Sequence, residues 1–151
     1  MTTTPPSLED TLSLAARAHA GQLDKAGQPY ILHPLRVMLR LTDPRDRIVA
    51  LLHDTVEDTS VTFEELRTLG YPEELLAALD SVTRRSSEDY EEFVARSAEN
   101  DIGRRVKLAD LADNMDLRRL PEVRDSDTSR LERYQRAWQS LMAIEQSARG
   151  E

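Results

Sequence analysis

The chain has no cysteine. Disulfides and thiolate zinc sites are excluded, so a metal bound here must take nitrogen and oxygen ligands. No window approaches about 18 consecutive apolar residues, so no segment reads as membrane-spanning. Met1 leads into a Thr/Pro stretch, not a basic region followed by an apolar one, and a cytoplasmic location is expected. Basic residues are outnumbered: 20 Lys and Arg face 28 Asp and Glu, a formal net charge of -8. That balance argues against a nucleic-acid polymer or a membrane surface as partner, and leaves room for a small phosphate compound on a local basic patch. No alternating strand pattern, repeat, low-complexity segment or Gly/Pro/Ser-rich linker divides the 151 residues, which suffice for one domain with one core.

What the chain does have is helix signals. Residues 1–6 read as a mobile N-terminal tail and 7–149 as a single domain. Ser7-Leu-Glu-Asp10 resembles a capping box ahead of a helix to about residue 20. Gly21 and Gly27 bracket a loop, and residues 28–33 read as irregular or short extended chain. Pro34 suits the first position of a second helix, with His33 near its N-cap. Asp43-Pro44 starts a third, expected to run to about Val56. Thr62-Phe-Glu-Glu65 is a capping box whose short helix Gly70 stops. Tyr71-Pro72 starts the next, residues 86–89 another, and Asp101 opens one that reaches Met115. After a polar loop over 121–127, a last helix near 128–148 presents Leu131, Tyr134, Trp138, Leu141 and Ile144 at helical spacing. That stripe suits the core or a homodimer contact. The sum is an all-α, single-domain bundle of seven or eight helices. The arginine pairs Arg84-Arg85, Arg104-Arg105 and Arg118-Arg119 read as solvated helix ends and stay outside the site.

One stretch is not simply amphipathic. Ile48-Val-Ala-Leu-Leu-His-Asp-Thr-Val-Glu-Asp58 begins apolar and ends in three acids and a histidine. On a helix His53 lies over Glu57, and Asp54 over Asp58. Carboxylates crowded at the end of a buried segment are costly unless something positive neutralises them, and a divalent metal ion does so. Asp110 and Asn114 form a second pair four apart, flanked by Leu108 and Leu111. Asp110 wants a cation, and Lys107, three residues earlier, offers an ordinary salt bridge; spacing does not choose between lysine and metal. Of the three histidines, at 19, 33 and 53, each sits beside a turn or an acid.

Four blocks then carry a resemblance. They are Ala18-His-Ala-Gly-Gln22, Lys25-Ala-Gly-Gln-Pro-Tyr-Ile-Leu-His-Pro34, Leu51-Leu-His-Asp-Thr-Val-Glu-Asp-Thr59 and Val106-Lys-Leu-Ala-Asp-Leu-Ala-Asp-Asn-Met115. Together the chain resembles the HD-domain phosphohydrolases, and more narrowly the ppGpp hydrolase domain of RelA/SpoT proteins and their short single-domain relatives. The resemblance implies an HD-type helical fold, one Mn2+ ion, and removal of the 3′-pyrophosphate from ppGpp or pppGpp. It implies His33, His53, Asp54 and Asp110 as metal ligands. It implies Glu57 and Asp58 as the catalytic pair that positions and deprotonates water. Asn114 and Lys25 would touch substrate, and Tyr30 is a candidate for holding the base. His19 either supports the site from behind or braces its loop. Two positions depart from the family pattern: Asp24, where an arginine able to stack on the base is common, and Asp116-Leu117, where a small hydroxyl residue follows. The alternatives are the same chemistry on another phosphorylated nucleotide, such as the 2′-phosphate of NADPH, or a metal-bearing nucleotide-binding module with little turnover.

Overall fold

The computed structural model describes residues 4–150, so the first three residues of the expected tail lie outside the described residues. Helices α1 (Leu8–Ala18), α2 (Leu32–Leu39) and α3 (Pro44–Leu52) come first, followed by the short α4 (Thr55–Asp58) and α5 (Phe63–Thr68). Then come α6 (Glu73–Ser81), α7 (Tyr90–Ala98), α8 (Asp101–Asn114), a 3-10 turn at Leu117–Arg119, and the long α9 (Asp125–Gly150). The only extended pairing among the described residues is one isolated antiparallel bridge, Leu23 with Pro29. The architecture is all-helical, as the sequence predicts.

The caps form where the sequence places them. Ser7 and Asp10 close a full capping box on α1, and Thr62 and Glu65 close another on α5. Asp43 accepts from the Arg45 amide with Pro44 in the first turn of α3. Such caps satisfy amides that have no partner inside the helix. Three starts differ by a few residues. His33 lies inside the first turn of α2, because Pro34 fits anywhere among the first unbonded amides. Asn100 caps α8. Helix α9 begins at Asp125, which shortens the expected loop.

The expected third helix is broken. It stops at Leu52 and resumes at Thr55, so the described residues form nine α-helices against the seven or eight expected. No Pro or Gly marks the break. The His53 amide reaches Ala50 O at 3.4 Å, and the Thr55 hydroxyl donates to the Leu52 carbonyl at 2.7 Å. A threonine hydroxyl competes with the ladder in this way. The one-turn stacking of His53 over Glu57 therefore does not form.

Helix α8 is the hub, packed against α2, α3, α6, α7 and α9. Gly103 lets α6 approach it: a Cβ there would lie 1.9 Å from Ser81 Oγ. The main core gathers Val37, Val49, Leu51, Leu52, Leu79 and Val106 from α2, α3, α6 and α8. A second cluster joins Val94, Leu111, Ala137 and Leu141, with Trp138 packed on it. The α9 stripe is thus core at Leu141, but Ile144 is exposed, and Glu145 takes the inward place beside it. Glu145 is there for Arg104, which it meets at 2.7 Å. Arg104 is 4% exposed, and Arg105 pairs with buried Asp46 at 2.7 Å. The reading of that arginine pair as a solvated helix end is wrong, because Glu145 and Asp46 reach it from distant segments.

Candidate metal centre and cavity

Three elements meet at one point. The first turn of α2 supplies His33, the α3–α4 break supplies His53 and Asp54, and α8 supplies Asp110. His33 Nε2 lies 3.0 Å from Asp110 Oδ1 and 3.6 Å from Asp54 Oδ2. His53 Nε2 lies 3.1 Å from Asp54 Oδ2 and 3.4 Å from Asp110 Oδ1. His33, His53 and Asp54 offer ligand atoms close enough to share one ion. The break makes this convergence feasible, since neighbours on an unbroken helix diverge by about 100°.

The donor set fits a divalent cation. Two imidazoles and two carboxylates suit borderline and hard ions. His53 Nε2 is buried with no hydrogen-bond partner, while its Nδ1 is 2.6 Å from Ala50 O. A ring anchored through Nδ1 with Nε2 left over is the arrangement of a metal-ligating histidine. Burial works against a charge on His53, yet the charges of Asp54 and Asp110 outweigh it and hold the imidazole well above its usual range. Burial likewise raises Asp54, but the neighbouring imidazoles win and bring it to about 2. These opposing pulls mark a cluster whose charges depend on one another.

Asp110 takes the lysine and still faces the cluster. Its Oδ2 meets Lys107 Nζ at 3.0 Å, and its Oδ1 faces the histidines. Asn114 donates to the same Oδ1 at 3.1 Å. The Tyr30 hydroxyl donates to Asp54 Oδ2 at 2.5 Å, and its ring meets that of His33 edge-on. Tyr30 therefore braces a carboxylate, beyond its candidate role at the base. His19 is buried, with Nδ1 2.8 Å from Gln22 Oε1 and its ring 5.0 Å from that of Tyr30. It braces the loop and Tyr30 from behind.

A cavity of about 490 Å³ opens onto His33, Asp54 and Asp110, and Lys25, Tyr30 and Asn114 line it. Glu57 and Asp58 are not among its lining residues. Glu57 accepts a hydrogen bond from the Arg84 amide, and Asp58 makes no side-chain hydrogen bond among the described residues. Burial, together with the nearby charge of Asp54, raises both carboxyls above their usual range. Asp24 is not solvated loop: its Oδ1 accepts from the Ala26 and Gln28 amides at 2.9 Å each. Its Oδ2 lies 3.6 Å from Arg119 Nη1. Arg119 also lines the cavity, contrary to its reading as a helix end.

Sequence reasoning missed Asp113 and Arg36. Asp113 Oδ2 is 2.6 Å from His33 Nδ1, and Arg36 donates to both Asp113 oxygens. Helical spacing puts Asp113 on the face of Asp110 and Arg36 on the face of His33, one turn on each helix, but it does not say that the two faces meet.

The all-helical bundle agrees with the HD-type helical fold that the resemblance implies. The comparisons with known proteins narrow this class. No family model matches the chain. The guanosine-3′,5′-bis(diphosphate) 3′-pyrophosphohydrolase of Aquifex aeolicus is 33% identical over 120 residues, covering 72% of this chain and 17% of that protein. The GTP pyrophosphokinase of Streptomyces coelicolor is 35% identical over 127 residues, covering 76% of this chain and 15% of that protein. The chain thus spans only a small part of the curated relatives it matches. Among solved structures, a metazoan SpoT ortholog that hydrolyses ppGpp superposes with a TM-score of 0.71 and 26% identity, over 92% of this chain and 88% of that one. The chain is an HD-type domain similar to the ppGpp hydrolases of the RelA/SpoT group. No helix of its described residues is long and apolar enough to cross a membrane.

Proposed function

We propose that the chain is a Mn2+-dependent phosphohydrolase that removes the 3′-pyrophosphate of ppGpp or pppGpp. The observation that carries this is the buried, unpartnered Nε2 of His53 beside His33, Asp54 and Asp110, the last three of which line a cavity of about 490 Å³. His33, His53, Asp54 and Asp110 would hold the ion. When bound, such an ion acidifies water and polarises a phosphoryl oxygen.

The remaining steps belong to side chains. Asp58 and Glu57 are the candidates to take the proton of the attacking water. Their raised affinity for protons suits a general base better than an ordinary surface carboxylate. Asp58 is the freer of the two, because Glu57 already holds the Arg84 amide. Lys25 neutralises charge on the departing pyrophosphate. Asn114 gives its amide hydrogen to Asp110 and keeps its carbonyl for a substrate hydroxyl. Tyr30 offers a ring face at the cavity wall. The reading implies a cytoplasmic enzyme acting on a small nucleotide.

A second reading has its own observation. Lys107, Arg119 and Arg130 all line the cavity, and each is already paired with an acid. Lys25 alone among the lining cations has no ion-pair partner in the described residues. That charge balance favours a substrate with fewer phosphates, such as the 2′-phosphate of NADPH. The purified chain with Mn2+ should be offered ppGpp, NADPH and simple nucleotides in parallel. Pyrophosphate from ppGpp supports the first reading, phosphate from NADPH supports the second, and binding without product from any of them overturns both.

A further inference from the structure

We infer that Asp113 is a positioning residue of the metal centre: a buried carboxylate, held by Arg36, that fixes the tautomer and ring plane of His33. The inference rests on the ligand reading above. Asp113 has no exposed surface. Its closest side-chain contact is to His33, 2.6 Å from Oδ2 to Nδ1. Arg36 Nε donates to Oδ1 at 2.8 Å and its Nη2 to Oδ2 at 3.1 Å. Arg119 Nη2 donates to the Asp113 main-chain oxygen at 3.0 Å.

The geometry is that of two facing helical turns. On α2, His33 and Arg36 are three apart; on α8, Asp110 and Asp113 are three apart. Residues so spaced share a face. The turn on α8 therefore brackets the imidazole, with Asp113 at Nδ1 and Asp110 at Nε2. A neutral imidazole carries one ring proton, and an ionised carboxylate only accepts. Asp113 thus holds that proton on Nδ1 and turns the lone pair of Nε2 toward Asp54, Asp110 and His53. Arg36, in a fork that matches the carboxylate, and Arg119, with Nη2 3.4 Å from Oδ2, supply the positive charge that lets Asp113 remain ionised inside the protein.

A plain α2–α8 staple would need Arg36 and Asp113 alone, and buried pairs of that kind are often no better than apolar packing. The contact to His33 Nδ1 is what the staple reading leaves unexplained. Carboxylates behind metal-bound histidines typically change metal affinity by 10- to 100-fold.

The test compares Mn2+ binding by calorimetry in the wild-type chain, Asp113→Asn, Arg36→Gln and Arg105→Gln. The last breaks a different buried-acid pair on α8, with Asp46, and serves as a control for lost stability. Asp113→Asn is expected to weaken binding about 10- to 100-fold and Arg36→Gln by less, with Arg105→Gln unchanged. In parallel, nitrogen-15 spectra of histidine side chains in the Zn2+-loaded wild type should show the His33 proton on Nδ1. Binding in Asp113→Asn no weaker than in Arg105→Gln overturns the inference, and so does a His33 proton found on Nε2. Should Asp113→Asn fail to fold, the wild-type spectrum decides alone. A wild-type chain that binds neither ion removes the ligand reading itself, whereas unchanged binding in Asp113→Asn removes only the role of Asp113.

Discussion

Helix α8 carries two buried ionic groups, one at each end. At Arg104 every arm of the guanidinium is used: Nε on Glu145 at 2.7 Å, Nη2 on Asp101 at 2.8 Å, and Nη1 on the Ala98 carbonyl at 2.8 Å. Around Asp110 the accounts do not close. His53 Nε2 has no partner, and Asp54, Asp110 and the two imidazoles press on one another's charge. Burial of charge is common to both groups, so burial is not what signals function. The signal is that one group is complete with protein atoms alone, and the other points its lone pairs at a shared centre.

That contrast breaks most severely at Asp54. Asp54→Ala removes one of the proposed ligands, and turnover and Mn2+ binding are both expected to vanish. Thermal or denaturant unfolding gives a second readout. Mn2+ at about 100 times its Kd should stabilise the wild type by about 2.7 kcal/mol and leave Asp54→Ala where it was. A variant that still hydrolyses substrate with Mn2+ would show that the ion lies elsewhere.

The complete group should respond in the opposite sense. Glu145→Ala strips Arg104 of its buried partner, a loss that typically costs ~3–5 kcal/mol. The low end is expected, since Asp101 and the Ala98 carbonyl remain. Denaturant titration measures it, and the Mn2+ affinity of the folded variant should be that of the wild type. Lost affinity with unchanged stability would mean that the two groups are one network along α8.

The same contrast explains what could be read from residues alone. Ser7, Asp43 and Thr62 cap their helices through partners two or three positions away, and neighbours that close leave a pattern in sequence. Three of the four motif blocks hold His33, His53, Asp54 and Asp110, and the fold brings these four side chains together. Arg104 was misread because Glu145 lies 41 residues on, and Asp113 was overlooked because His33 lies 80 residues before it. Helical spacing records neighbours on one element and is blind to partners on another. The break after Leu52 was hidden for a related reason. It rests on one threonine hydroxyl and on the packing that buries His53, with no glycine or proline to announce it.

The smallest predicted effect concerns the outer end of the cavity, where Asp24 stands. Its Oδ1 organises the loop by accepting two amides, while its Oδ2 and charge face Arg119. Asp24→Asn keeps an oxygen for the two amides and removes the charge, so the loop should hold while the Nη1 arm of Arg119 becomes available to an anion, its Nη2 staying on Asp113. Partly exposed ion pairs of this kind are worth up to about 1 kcal/mol, so KM for ppGpp should fall by up to about fivefold with kcat little changed. Lys25→Ala should move KM the other way, because it removes a cation that has no ion-pair partner among the described residues. Both effects should shrink as salt is raised, since exposed charges are screened over roughly 10 Å at 0.1 M ionic strength. If Asp24→Asn instead weakens ppGpp while improving NADPH, the outer end selects its substrate by shape, and charge at Asp24 is not what separates the two nucleotides.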